Sequence, residues 1–164
     1  MAGITHPVLG LDHLLAMVCV GIVSAQIGGR AVWTVPTTFV GVMALGGLFG
    51  ILGTGFLAVE LGIAVSVIVL GITIAAERTF PVVITMIAVG LFAVFHGYAH
   101  GTEMPSTAEP LLYALGFLTG TAVIHIAGLF IGDISSHYEK GKVLLRVGGG
   151  VIALIGIMFV FGII

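Results

Sequence analysis

Charge is what this sequence has least of. Of its 164 residues, 7% are Asp, Glu, Lys or Arg, while 59% are hydrophobic. A water-soluble domain carries roughly 25% charged residues, so a soluble surface cannot be assembled from this chain. Cysteine is nearly absent as well. The lone Cys19 excludes an internal disulfide and an all-cysteine metal site, and its apolar surroundings mark it as packing. There is no basic run to bind nucleic acid, and the formal net charge is only −2. No Walker motif is present for ATP hydrolysis. Glycine, by contrast, is plentiful at 26 residues and suits close helix packing in lipid. The composition points to an integral membrane protein with little mass outside the bilayer.

Polar residues and Gly/Pro punctuation divide the chain into six apolar runs, at about 7–27, 32–53, 56–76, 80–100, 109–132 and 143–163. Each approaches the ~20 residues a helix needs to cross ~30 Å of hydrocarbon. The runs are continuously apolar rather than alternating, which favours helices over barrel strands. The fold class expected is an all-α integral membrane protein. It forms one transmembrane domain over residues 1–164, a compact bundle of six helices. Arg30, Arg78, Lys140, Lys142 and Arg146 all fall on one side of a six-span arrangement. By the positive-inside rule, the N-terminus and C-terminus both face the periplasm. Residues Met1–Thr5 are too short for an export signal, so a signal peptide is expected to be absent from this chain.

Against this background the segment HPVLGLDHLLAM, residues 6–17, is unusual. His6 and His13 are seven apart, about two helical turns, and share a face. Pro7 suits a first helical position. Asp12 is placed to face a neighbouring helix or to support an imidazole. A second polar segment, FHGYAHGTEMP at 95–105, ends the fourth span. His96 and His100 are stacked one turn apart, Glu103 continues that face if the helix persists, and Gly97 and Gly101 form an adjacent strip for close helix approach. Glu60 lies in the outer part of the third span and His125 deeper in the fifth. An acidic side chain at a helix centre costs ~2.5–3.5 kcal/mol on insertion scales, and such groups usually mark a substrate or proton path. Imidazole and carboxylate together suit Ni²⁺, Co²⁺, Zn²⁺ or Cu²⁺ better than Mg²⁺ or Ca²⁺. A divalent ion would also offset repulsion among Asp12, Glu60 and Glu103.

His6-Pro7, Gly10, Asp12-His13 and Met17 resemble the first-helix signature of the HupE/UreJ nickel permeases, a His followed after five residues by Asp-His. Phe95 through Glu103 resembles that family's signature on helix 4. The resemblance extends over nearly the whole chain in length, span count and exported N-terminus. It implies secondary uptake of Ni²⁺, or Co²⁺ in some members, across the bacterial inner membrane, with the metal passed on to hydrogenase or urease maturation. The ion is then substrate, and no resident cofactor is expected. The match implies that His6, Asp12, His13, His100 and Glu103 are the functional set, and that Glu60 and Phe39 occupy further family positions. His96 is a ligand candidate or a residue that orients one. His125 and Met17 are path candidates, although Met17 also reads as apolar filler.

Two other functions use the same residues. An intramembrane zinc-dependent hydrolase would need an open coordination position and a general base. HGYAH lacks the glutamate of HExxH, which leaves Glu103 as the base. A haem-binding electron carrier would use histidines on facing helices, but carboxylates crowd the site. The oligomeric state, a homo-oligomer included, stays open, as do the coupling ion and the choice between nickel and cobalt.

Overall fold

The computed structural model describes residues 10–55 and 58–164. All regular structure among them is helical. The helices are α1 (Leu11–Ile27), α2 (Ala31–Ile51), α3 (Val59–Ala75), α4 (Val82–Thr102), α5 (Pro110–Ser136) and α6 (Glu139–Val160). They fall on the six apolar runs. By length and composition, α2, α4, α5 and α6 can each cross a membrane. α1 and α3 are apolar but shorter, at 17 residues each. Residues 7–9 and 56–57 of the corresponding runs lie outside the described residues.

The helix ends follow from local chemistry. α1 stops at Gly28, whose N–H donates to the Ser24 carbonyl at 3.0 Å. Gly28 and Gly29 then take φ values of 73° and 55°, a left-handed turn that glycine alone enters without strain. α5 starts with Pro110 at its first position, and the Glu109 carboxylate accepts from the N–H groups of Leu111 at 3.2 Å and Leu112 at 2.7 Å. Glu109→Ala should therefore fray the start of α5 and cost about 1 kcal/mol, on the scale of other N-cap losses. Thermal unfolding in detergent measures this, and an unchanged midpoint would show that the cap is idle.

Three helix pairs carry most of the packing, namely α2 with α4, α3 with α6, and α1 with α5. Each is seated on glycine. Gly97 of α4 faces the Met43 carbonyl of α2, and Gly101 faces the Gly47 carbonyl. Gly21 of α1 faces the His125 carbonyl of α5, and Gly128 faces that of Val18. A Cβ on Gly71 of α3 would lie 2.6 Å from the Ala153 nitrogen of α6, and one on Gly149 would lie 2.6 Å from the Ala75 nitrogen. No side chain fits at these contacts, so the backbones lie against each other as small-residue packing in lipid requires. Gly46 and Gly50 of α2 also lie against the α4 backbone, whereas Gly148 and Gly150 face open space.

The outward surface is apolar. Leu91, Val123, Phe130 and Leu154 are all exposed, which suits a lipid environment. The interior holds an unusual minority of polar side chains. His13, Ser24, Ser66, Thr85, His96, His100, Thr121 and His125 are all buried.

Candidate metal-ion site

Three imidazoles meet between α1 and α4. The His13 ring centroid lies 4.7 Å from that of His96 and 4.8 Å from that of His100, both edge to face. α1 contributes His13 from its first turn and α4 contributes the other two from its last two turns, as antiparallel packing of the two motif-bearing ends requires. His100 stacks on Phe117 of α5 at 5.0 Å with 13° between planes. Phe39 of α2 closes the cluster from below, 5.5 Å from His96 and fully buried.

The hydrogen bonds fix which nitrogens keep a lone pair. His13 Nδ1 lies 2.9 Å from Asp12 Oδ1, and the His13 backbone N–H donates to the same oxygen at 2.7 Å. An ionised carboxylate can only accept, so Nδ1 donates and Nε2 keeps its lone pair. His13 Nε2 is buried with no hydrogen-bond partner among the described residues. His96 is set by a different neighbour. The Ser66 hydroxyl of α3 spends its one proton on the Ile63 carbonyl at 2.6 Å and lies 3.0 Å from His96 Nε2. Nε2 must then donate to Ser66, which leaves the lone pair on Nδ1. His96 Nδ1 is likewise buried without a hydrogen-bond partner among the described residues. Two imidazoles on different helices thus offer unprotonated nitrogens inside a water-poor core. Each is held by a supporting oxygen, the arrangement that orients metal-ligating histidines.

One turn deeper than His13, Met17 is fully buried. Thr121 of α5 donates to its Sδ at 3.4 Å and lies 3.8 Å from the Sδ of Met43. Deeper still on α5, His125 is buried with its ring 5.1 Å from that of Phe39.

The carboxylates are arranged differently from the imidazoles. Asp12 is half-buried beside His13, whereas Glu60 in the first turn of α3 and Glu103 at the C-terminal end of α4 are both exposed. α4 ends at Thr102, so Glu103 caps the helix instead of continuing the face of His96 and His100. Glu60 and Glu103 therefore stand at the helix ends, outside the buried trio. His6 lies outside the described residues. Among the described residues, no three His, Cys, Asp or Glu side chains converge as a ready-made metal cage. The donors form a chain of touching rings, and an ion would have to turn them to bind.

Ser66, Phe117, Thr121 and Met43 were not foreseen as site residues. The one available signal was Ser66, a hydroxyl alone in the apolar middle of α3. The other three resemble ordinary helix composition until the helices are assembled.

Buried imidazoles with lone pairs, inside helices with an apolar exterior, define a multi-pass membrane protein built around a polar core. The HupE / UreJ protein family matches residues 1–159, and the chain belongs to that family. A curated relative, "Protein HupE" of Rhizobium leguminosarum bv. viciae, is 45% identical over 163 residues, covering 99% of this chain and 84% of the relative. No solved structure matches. Membership gives the chain a role connected with nickel or cobalt transport.

Proposed function

We propose that this chain is a secondary permease that takes up Ni²⁺, or Co²⁺, across the bacterial inner membrane. It works as one transmembrane domain of six crossings with both termini periplasmic. The segregation of all five Lys/Arg residues to one side supports that orientation. The observation that carries the reading is the pair of buried lone pairs, His13 Nε2 and His96 Nδ1, presented from facing helices with Asp12 and Ser66 behind them. Neutral imidazole is the ligand that late first-row divalent ions favour.

The mechanism rests on depth. His6, Glu60 and Glu103 act at the outer mouth, where a carboxylate stays hydrated and draws in a cation. His13, His96 and His100 replace part of the ion's water shell further in, and Phe39 and Met17 line the deeper part of the path. Binding by a chain of rings is loose enough to release the ion, as conduction requires. The inside-negative potential favours entry of a divalent ion by about 4.6 kcal/mol per 100 mV, twice the single-charge value. Once inside, the ion is handed on to hydrogenase or urease maturation.

Uptake of radioactive Ni²⁺ into proteoliposomes, with Co²⁺ and Zn²⁺ as competitors, tests the reading. Saturable Ni²⁺ uptake that Co²⁺ reduces is expected, and no uptake above empty liposomes would refute it. A second expected result concerns pH. A metal needs the deprotonated imidazole, so protons compete with it. Uptake should therefore fall as the external pH is lowered. A rate that does not change with external pH would show that proton-binding ligands do not limit uptake.

A further inference from the structure

His125 stands on α5, a different helix from the outer cluster's, yet it shares that cluster's chemistry. It lies on α5 eight residues beyond Phe117, about 12 Å along the helix from the ring that stacks on His100. Its side chain is 1% exposed. Neither of its ring nitrogens has a hydrogen-bond partner among the described residues. A histidine kept for packing would bond a carbonyl or hydroxyl, and a buried imidazole with two unmet nitrogens calls for another cause. The surroundings suggest what that cause is. The Phe39 ring lies 5.1 Å from that of His125 and 5.5 Å from that of His96. His100, His13, His96, Phe39 and His125 thus form one unbroken line of ring contacts. His125 also borders a partly open, mostly apolar cavity of about 210 Å³ between α2 and α5, whose lining includes the exposed Trp33 and Ile126. Pro36 has no N–H, so the Val32 carbonyl at that cavity lacks its usual helical donor.

The line runs along a seam. α1 and α5 are locked together by Gly21 and Gly128, and α2 and α4 by Gly97 and Gly101. His13 to His96, His13 to His100, His100 to Phe117 and Phe39 to His125 all cross between these two rigid pairs. A small sliding of one pair past the other would re-aim the rings without breaking either glycine contact.

We propose that His125 is a second, inner binding station for the transported cation, reached from the His13–His96–His100 cluster past the ring of Phe39. The inference rests on the permease reading and extends its path beyond the outer site. The ion exchanges one imidazole nitrogen for another on its way through the bundle.

The test uses the full-length protein in proteoliposomes and in detergent, with Ni²⁺ as the probe. His125→Leu removes the donor at similar bulk, and His125→Cys removes the ring but keeps a donor. For His125→Leu, Ni²⁺ uptake should fall at least tenfold, while equilibrium dialysis still detects Ni²⁺ bound at the outer cluster. His125→Cys should recover a clear part of that uptake and shift competition towards the softer Cd²⁺. Uptake by His125→Leu within twofold of wild type would overturn the proposal. So would equal loss in the Leu and Cys variants, which marks a packing role. If wild-type protein itself moved no Ni²⁺, the permease reading would fall first and take the inner station with it, an outcome distinct from either of these.

Discussion

Replacing His13 with alanine is expected to reduce nickel uptake to background, a loss well beyond the roughly 10–100-fold typical of removing a group that merely supports a ligand. His13 is the one ring in contact with both other imidazoles of the outer cluster, 4.7 Å from His96 and 4.8 Å from His100. Its loss removes the ring contacts that join α1 to both α4 histidines. The neighbouring carboxylate should behave differently. In Asp12→Asn the side-chain oxygen can still accept from His13 Nδ1, so the tautomer survives and Nε2 keeps its lone pair. What the variant loses is the negative charge that makes the imidazole a better donor. Asp12→Asn should therefore raise KM for Ni²⁺ by about tenfold, at the low end of the range for supporting residues, with the maximal rate less affected. Initial rates across a Ni²⁺ series, normalised to protein in the membrane, separate the two. A His13→Ala variant transporting within twofold of wild type would remove the chemical basis of the site.

The contrast between these residues bears on what the sequence could reveal. Asp12 and His13 adjoin on the chain, so their partnership was legible: a carboxylate next to an imidazole in an apolar helix is costly unless each serves the other. The pairing of His96 with His100 was legible from their spacing of four, and the role of Gly97 and Gly101 from their place beside them. The contribution of α3 was not. Glu60 was the only charge on that run and drew attention, yet the contact with the imidazoles comes from Ser66. The two are six residues apart, about 240° around the helix, so they point to different neighbours. α3 is apolar nearly all round, and such a helix carries no stripe from which its rotation can be read. His96 shows the same limit. On sequence it was as readily a supporting residue as a ligand, and only the proton of Ser66, committed to Ile63, decides which nitrogen it presents. Phe117 and Thr121 gain meaning solely from what α5 is packed against.

The second large effect lies where no polar group is involved. Gly97→Ala adds one methyl group to α4, and the site should come apart. A Cβ at that position would press on the Met43 carbonyl of α2, 2.8 Å from the Gly47 nitrogen and 2.9 Å from the Met43 carbonyl carbon. These are backbone atoms that cannot turn aside as a side chain can, so α2 and α4 must separate. α4 carries His96 and His100 and α2 carries Phe39, so separation opens the line of ring contacts at its middle. Overpacking of this kind costs about 1–3 kcal/mol and sometimes more, and here it acts on the most extensive helix pair. Gly41→Ala is the control. It lies in the same α2 helix, but a Cβ there meets nothing within 4 Å, and alanine is the better helix former by about 1 kcal/mol. Gly97→Ala should lower the thermal midpoint and abolish nickel uptake, whereas Gly41→Ala should match or exceed wild type in both. Equal behaviour of the two variants would mean that the α2–α4 contact does not hold the imidazoles in place, because glycine's lack of a side chain is the sole chemical reason these backbones can lie so close.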